Sequence, residues 1–193
     1  RRWSLALAAV VWGLLLVEFG AAVPHRTPGL ALHFLDVGQG DAALLRTPRG
    51  HWVLIDAGPA TERSDAGRRV IAPFLAQHRA PGLALAVISH AHLDHLGGLR
   101  GVVDRYPVAR VLEPGALIGD SLYTGFLDLL AERDIAWTAA RDGMTFTVDS
   151  VRFRVLHPDA RWAEWQSDVN EDSVVLLAEY GRFRALFVGD AGL

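Results

Sequence analysis

Ser89-His90-Ala91-His92-Leu93-Asp94-His95-Leu96-Gly97-Gly98 packs three imidazoles and one carboxylate into six residues. Neutral imidazole is the commonest metal ligand, and Asp adds a hard anionic oxygen. The spacing does not let all four groups reach one ion, because neighbours such as Asp94 and His95 must diverge. It suits two adjacent ions, with His90 and His92 facing one and Asp94 and His95 the other. Two ions roughly 3.5–4 Å apart would ready a water for attack on phosphorus or a carbonyl carbon and offset charge in the transition state. Asp94 would orient that water as well as bind metal, which makes it the candidate catalytic residue. The chain has no cysteine, so disulfides and thiolate sites are excluded. Nitrogen and oxygen donors suit zinc or manganese, with iron also compatible.

The cluster needs a rigid mount. The apolar run Leu83–Ile88 directly before it reads as a buried strand, which puts the cluster at a strand end, where loops carry chemistry. Upstream, Leu30–Leu35 reads as a strand and Asp36–Asp41 as a turn with glycines at its bends. Ala42–Leu45 and His51–Ile55 form a hairpin around Pro48-Arg49-Gly50. Helices are expected over Arg68–Arg79, Leu99–Tyr106 and Ser121–Arg133, with Pro73 early in the first and a short strand at Arg110–Leu112. The second half turns to β: Ala136–Ala139, Thr145–Val148, Val151–Leu156, Val174–Ala178 and Phe183–Val188. A longer loop with Trp162, Trp165 and Asp168 interrupts it, its tryptophans read as packing residues. This order implies an α/β domain with two packed sheets covered by helices. His25, His33, His51 and His78 lack partners at ligand spacing and read as surface or core residues.

Trp3–Val23 is almost uninterrupted apolar sequence, about the length a bilayer-spanning helix requires. It reads as the last transmembrane helix of a larger membrane region (1–24), with a signal peptide as the competing reading. The only methionine is Met144, which suggests a chain that begins inside a longer reading frame. Arg1 and Arg2 orient the start of the helix to the cytoplasm and the rest outside. The remainder, 30–193, suffices for one domain with a sizeable core. A formal charge of −3 gives no global attraction for nucleic acid, so such a substrate would need a local basic patch or the metals.

A strand followed by His-x-His-x-Asp-His and Gly-Gly resembles the metallo-β-lactamase superfamily. Leu54-Ile55-Asp56-Ala57-Gly58 resembles its first motif, and Leu186-Phe187-Val188-Gly189-Asp190 its late Gly-Asp. Phe34-Leu35-Asp36-Val37-Gly38-Gln39-Gly40-Asp41 is more specific. Together with Leu156-His157-Pro158, Asn170 and Ser173–Leu176, it is similar to the extracytoplasmic domain of ComEC-type DNA-internalisation proteins. The resemblance implies a metallo-β-lactamase-like αββα sandwich, truncated at its C-terminal end and preceded by one transmembrane helix. It implies a binuclear site in which His90 and His92 hold one metal, Asp94 and His95 the second, and Asp190 bridges. His157 or Asn170 would be a further ligand, and a last histidine would lie beyond Leu193. Asp41 and Asp56 would order the imidazoles by accepting their N–H bonds, against the plainer role of capping turns.

The family further implies single-stranded DNA as substrate, other competence proteins as partners, and the bacterial inner membrane as location, with the domain on its extracytoplasmic side. The function expected is metal-dependent hydrolysis of DNA phosphodiesters during uptake. A membrane-tethered hydrolase of a small ester, lactone or phosphate, and a non-catalytic DNA-guiding module, are the alternatives.

Overall fold

The computed structural model describes residues 29–115, 121–159 and 170–192. Among these residues, ten short strands make two sheets. The first runs β1 (Ala31–Phe34), β2 (Ala43–Arg46), β3 (Trp52–Ile55), β4 (Leu85–Val87), β5 (Arg110–Glu113) and β6 (Ala136–Ala139), in spatial order β1-β2-β3-β4-β5-β6. Its first three strands are an antiparallel meander, and β3 to β6 are parallel. The second sheet, in order β10-β9-β8-β7, is antiparallel throughout: β7 (Thr145–Val148), β8 (Val151–His157), β9 (Val175–Tyr180) and β10 (Phe183–Phe187).

Side chains alternate across a strand, and here both faces of the first sheet are used. Leu44, Leu54, Ala86 and Val111 point to a helical layer. Leu45, Val53, Ile55, Leu85, Val87 and Leu112 point to the second sheet, against Val151, Phe153, Val155, Leu176 and Ala178. Burial on two faces is why β3 and β4 read as continuous apolar runs, as parallel strands covered on both sides do. Each fully buried Leu, Val or Ile contributes about 1.5–3 kcal/mol. The carboxyl ends of these two strands are therefore anchored by packing on both faces. β8 buries Val151, Phe153 and Val155 and exposes Arg152, Arg154 and Leu156, as expected of a strand wetted on one face.

The helix expected over Arg68–Arg79 forms in two parts, a π-helical turn at Gly67–Ile71 and α1 at Ala72–Gln77. Pro73 sits at the start of α1, where a missing N–H costs least. α2 (Leu93–Leu96) is a single turn inside the histidine motif, α3 spans Leu99–Val103 and α4 spans Ser121–Glu132. All of these helices contribute to the cluster on the outer face of the first sheet. The layers among the described residues are therefore α, β and β, and the second helical layer of the expected αββα sandwich is not among them. No described helix is long and apolar enough to cross a membrane, and the expected span over 1–24 lies outside the described residues. So does the segment with Trp162, Trp165 and Asp168.

Candidate metal centre

Three strand ends and one inter-sheet bond build the site. β3 ends at Asp56, a non-glycine residue at φ 56° whose N–H donates to the Val87 carbonyl (2.8 Å). Asp is among the few side chains that tolerate this left-handed conformation, and the turn aims its carboxylate across the end of β4. β4 leads into Ser89 and His90. From the other sheet, the N–H of Val174 donates to the Ser89 carbonyl at 2.8 Å, and the Asp190 N–H reaches the Ser173 hydroxyl at 3.3 Å. Gly189, at φ 54°, lies so close to Ser89 that an added Cβ would stand 2.7 Å from the serine Cβ. The two sheets are thus tied together where Asp190 leaves β10.

The His motif wraps this junction. The α2 turn packs its backbone on the Asp56 loop: the Ala57 N–H donates to the His95 carbonyl (2.6 Å), and the Gly98 N–H to the Gly58 carbonyl (2.9 Å). Gly97 and Gly98 have ordinary helical φ, so conformational freedom is not what they supply. They supply space, since a Cβ on Gly98 would sit 2.1 Å from the Ala57 carbonyl oxygen.

Asp56 is buried, at 2% exposure, and collects three hydrogen bonds. The Ser89 N–H donates to Oδ1 (2.7 Å), the Ser89 hydroxyl to Oδ2 (2.7 Å), and His95 Nδ1 lies 3.0 Å from Oδ2. Burial raises the Asp56 carboxyl above its ordinary range, against the hydrogen bonds from His95 and Ser89 that pull it down. Burial works to lower His95, but the hydrogen bond and charge of Asp56, with Asp190 and Asp94 behind them, raise it overall. A carboxylate receiving two serine donors favours the ionised form, so the shared proton belongs on His95 Nδ1. His90, fully buried beside His95, is pushed down to about 4 by burial first and by the charge of His95 second. It is neutral near pH 7, as a metal ligand must be.

With both Nδ1 atoms occupied, the Nε2 atoms turn toward Asp190. His90 Nε2 is 3.9 Å from Asp190 Oδ2 and His95 Nε2 is 3.5 Å from Oδ1, and one ligand atom from each residue falls within a 4.8 Å cluster. His90 Nε2 also lies 3.1 Å from His92 Nδ1. Two nitrogens on one tetrahedral ion at about 2.0–2.1 Å each would stand about 3.3 Å apart, so this pair is nearly at ligand separation already. The donor set fits a divalent metal of nitrogen and oxygen preference.

Among the residues expected to hold metal, the structure gathers His90, His95 and Asp190 in one cluster, with His92 outside it but in contact with His90. Asp94 acts on His90 and His95 through its charge, but its carboxylate falls in neither compact cluster of possible ligand atoms. His157 falls in neither cluster as well: its Nδ1 lies 3.0 Å from the Ser173 carbonyl, closing the strand end. The Asn170 carbonyl accepts the Ser173 N–H (3.0 Å), which gives its backbone a part in the same turn. Asp41, exposed, joins Asp56 and His95 in the second cluster, and its carbonyl takes the Gly58 N–H. Asp56 Oδ2 contacts His95 Nδ1 directly, and the Ser89 hydroxyl stands between Asp56 Oδ2 and His90 Nδ1. The sequence reading missed Ser89 as an actor. Its signal was a hydroxyl between a buried strand and a ligand cluster, where it must bond to its neighbours.

Residues 35–157 match the Metallo-beta-lactamase superfamily. ComE operon protein 3 of Bacillus subtilis (strain 168) is 27% identical over 169 residues, covering 81% of this chain and 21% of that protein. The uncharacterized protein YcaI of Escherichia coli (strain K12) is 33% identical over 112 residues, 58% of this chain and 15% of its own length. The chain therefore spans about a fifth of the first relative's length and less of the second's. Among solved structures, CmlA, a diiron beta-hydroxylase from Streptomyces venezuelae, shares the fold at TM-score 0.56 with 21% identity, covering 87% of this chain and 30% of that one. The metallo-beta-lactamase fold protein YhfI from Bacillus subtilis does so at TM-score 0.52 with 12% identity, covering 84% of this chain and 60% of that one.

Proposed function

This chain belongs to the metallo-beta-lactamase superfamily, and from that premise we propose that it is a metal-dependent hydrolase acting on DNA phosphodiesters during DNA uptake. The observation that carries the hydrolytic part is the convergence of His90 Nε2 and His95 Nε2, from one sheet, on the Asp190 carboxylate delivered by the other. His90 and His92 would hold one ion, His95 with Asp94 a second, and Asp190 would serve both. Such ions, when bound, polarise the substrate oxygen and supply an activated water. Asp56 keeps the His95 proton on Nδ1 and so leaves Nε2 available as a lone pair. Asp94, whose charge reaches both buried imidazoles, orients the attacking water and takes up its proton.

The DNA part draws support from the ComEC-type motifs and from similarity to ComE operon protein 3. On this proposal the chain is part of a longer protein in the bacterial inner membrane, works on single-stranded DNA on the extracytoplasmic side, and meets other competence proteins there. A second reading has its own observation. The cleft of about 180 Å³ beside Asp41 and Asp56 is walled by Phe34, Ile55, Leu186, Phe187 and Val188, which suits a small apolar ester or lactone. Incubation of the chain with manganese or zinc, single-stranded DNA and small chromogenic esters separates the two. Cleavage of DNA that Asp94→Ala abolishes supports the first, and activity confined to esters replaces it with the second.

A further inference from the structure

We propose that Ser89 is a positioning residue that fixes the tautomer and ring orientation of His90, and so decides which of its nitrogens is offered to metal. The inference rests on the metal reading above and adds to it the residue that makes His90 a competent ligand.

Ser89 is buried, and its hydroxyl oxygen meets Asp56 Oδ2 at 2.7 Å, His90 Nδ1 at 3.0 Å and His95 Nδ1 at 3.4 Å. A hydroxyl has one hydrogen to give and two lone pairs to receive with. An ionised carboxylate can only accept, so the single hydrogen goes to Asp56. His90 Nδ1 is then left facing lone pairs and must be the donor. That places the proton of neutral His90 on Nδ1 and the lone pair on Nε2, the nitrogen 3.9 Å from Asp190 and 3.1 Å from His92 Nδ1. Among the described residues, the hydrogen-bond partner of His90 Nδ1 is the Ser89 hydroxyl and not a carboxylate. The order that Asp56 imposes on His95 at first hand reaches His90 only through this serine. The backbone of Ser89 holds the hydroxyl in place from two sides. Its N–H donates to Asp56 Oδ1, and its carbonyl accepts the Val174 N–H from the second sheet.

The test uses the intact chain with Ser89→Ala and Ser89→Thr. Nitrogen-15 spectra of the histidine rings, recorded without metal, should show His90 protonated at Nδ1 in the wild type. Ser89→Ala should lose that preference while its circular dichroism is unchanged. Zinc affinity, measured by competition with a chromophoric chelator, should fall about 10–100-fold in Ser89→Ala, the range typical of groups that orient a ligand. Ser89→Thr, which keeps the hydroxyl, should restore both readouts. Should the added methyl of Ser89→Thr prevent folding against Gly189, the His90 tautomer in Ser89→Ala decides alone. An unchanged tautomer and unchanged affinity in Ser89→Ala overturn the assignment while leaving the metal centre intact. A wild-type chain that takes up neither zinc nor manganese overturns the metal reading, and this inference with it.

Discussion

Replacing Asp56 by Asn changes one atom and should invert the protonation of both buried imidazoles. The new side chain keeps an oxygen for the Ser89 N–H, now held at 2.7 Å by Oδ1, but it presents an NH₂ where Oδ2 received the serine hydroxyl and His95 Nδ1. Two donors then face His95 Nδ1 and Ser89 Oγ. His95 must accept at Nδ1, which moves its proton to Nε2. Ser89 must turn its hydrogen to His90, with the same result there. Binding metal then means breaking hydrogen bonds worth about 1.5–3 kcal/mol each when a charged group takes part. A loss of about 3 kcal/mol corresponds to roughly a hundredfold weaker zinc binding. Fold stability without metal should change by less, because Asn suits the left-handed φ of 56° and no longer buries a charge. Asp56→Ala should behave oppositely. It orphans the Ser89 N–H and the His95 Nδ1–H, at about 1–3 kcal/mol each. For a chain of this size that is a melting-temperature drop of very roughly 5–20 °C. Zinc competition and thermal unfolding in chelator read the two effects separately. Wild-type zinc affinity in Asp56→Asn would refute the tautomer argument, whatever the stability of either variant.

His33 lies against Trp52, Phe74 and His78, and burial, His78 and Arg46 all lower its pKa. The folded state therefore binds fewer protons than the unfolded one below about pH 6.5, and stability falls as pH drops through that range. His33→Phe should flatten this dependence, so its advantage in urea midpoint should grow between pH 7.5 and pH 5; a constant offset would contradict the assignment. Asp104 is held below the usual carboxylate range despite its own desolvation, by hydrogen bonds and charges of Arg133 and Arg68. Its contribution is present above the unfolded value near 4 and is lost as pH falls through the lower folded value. Asp104→Asn should thus cost no more than about 1 kcal/mol at pH 7, since the cluster is partly solvated, and progressively less as pH falls below about 4. Gly98→Ala should drive a Cβ into the Ala57 carbonyl 2.1 Å away. We expect a loss of about 1–3 kcal/mol in urea unfolding together with weaker zinc binding, because the clash displaces the turn that carries His95.

The strands were legible in two ways: β3 and β4 as continuous apolar runs buried on both faces, and β8 by its alternation of buried and exposed residues. β6 and β7 fall where the sequence puts them, and β1, β8 and β10 differ by a residue or so at their ends. α2 was not legible, since four residues show no helical period. The π-turn before α1 was hidden by the same sequence that suggested one continuous helix; Gly67 packs on Gly98 where no Cβ fits, and Pro73 begins a new hydrogen-bond register. His90, His92 and His95 were visible as a local spacing, and Asp190 through the Gly-Asp at a strand end. What joins them was not visible. The Asp56–Ser89 bonds span 33 residues, and the Val174–Ser89 bond exists only because two sheets pack together. His157 looked equally suited to bind metal or close a strand, and the Ser173 carbonyl beside its Nδ1 favours the second role.

Metal binding by His90, His92, His95 and Asp190 underlies every step proposed above. The metal content of the intact chain, measured by mass spectrometry after exposure to zinc or manganese and dialysis, tests this most directly. At least one ion per chain should remain in the wild type, and none in a variant lacking both His90 and Asp190. A wild-type chain that emerges with far less than one ion, or a double variant that keeps as much as the wild type, would contradict it.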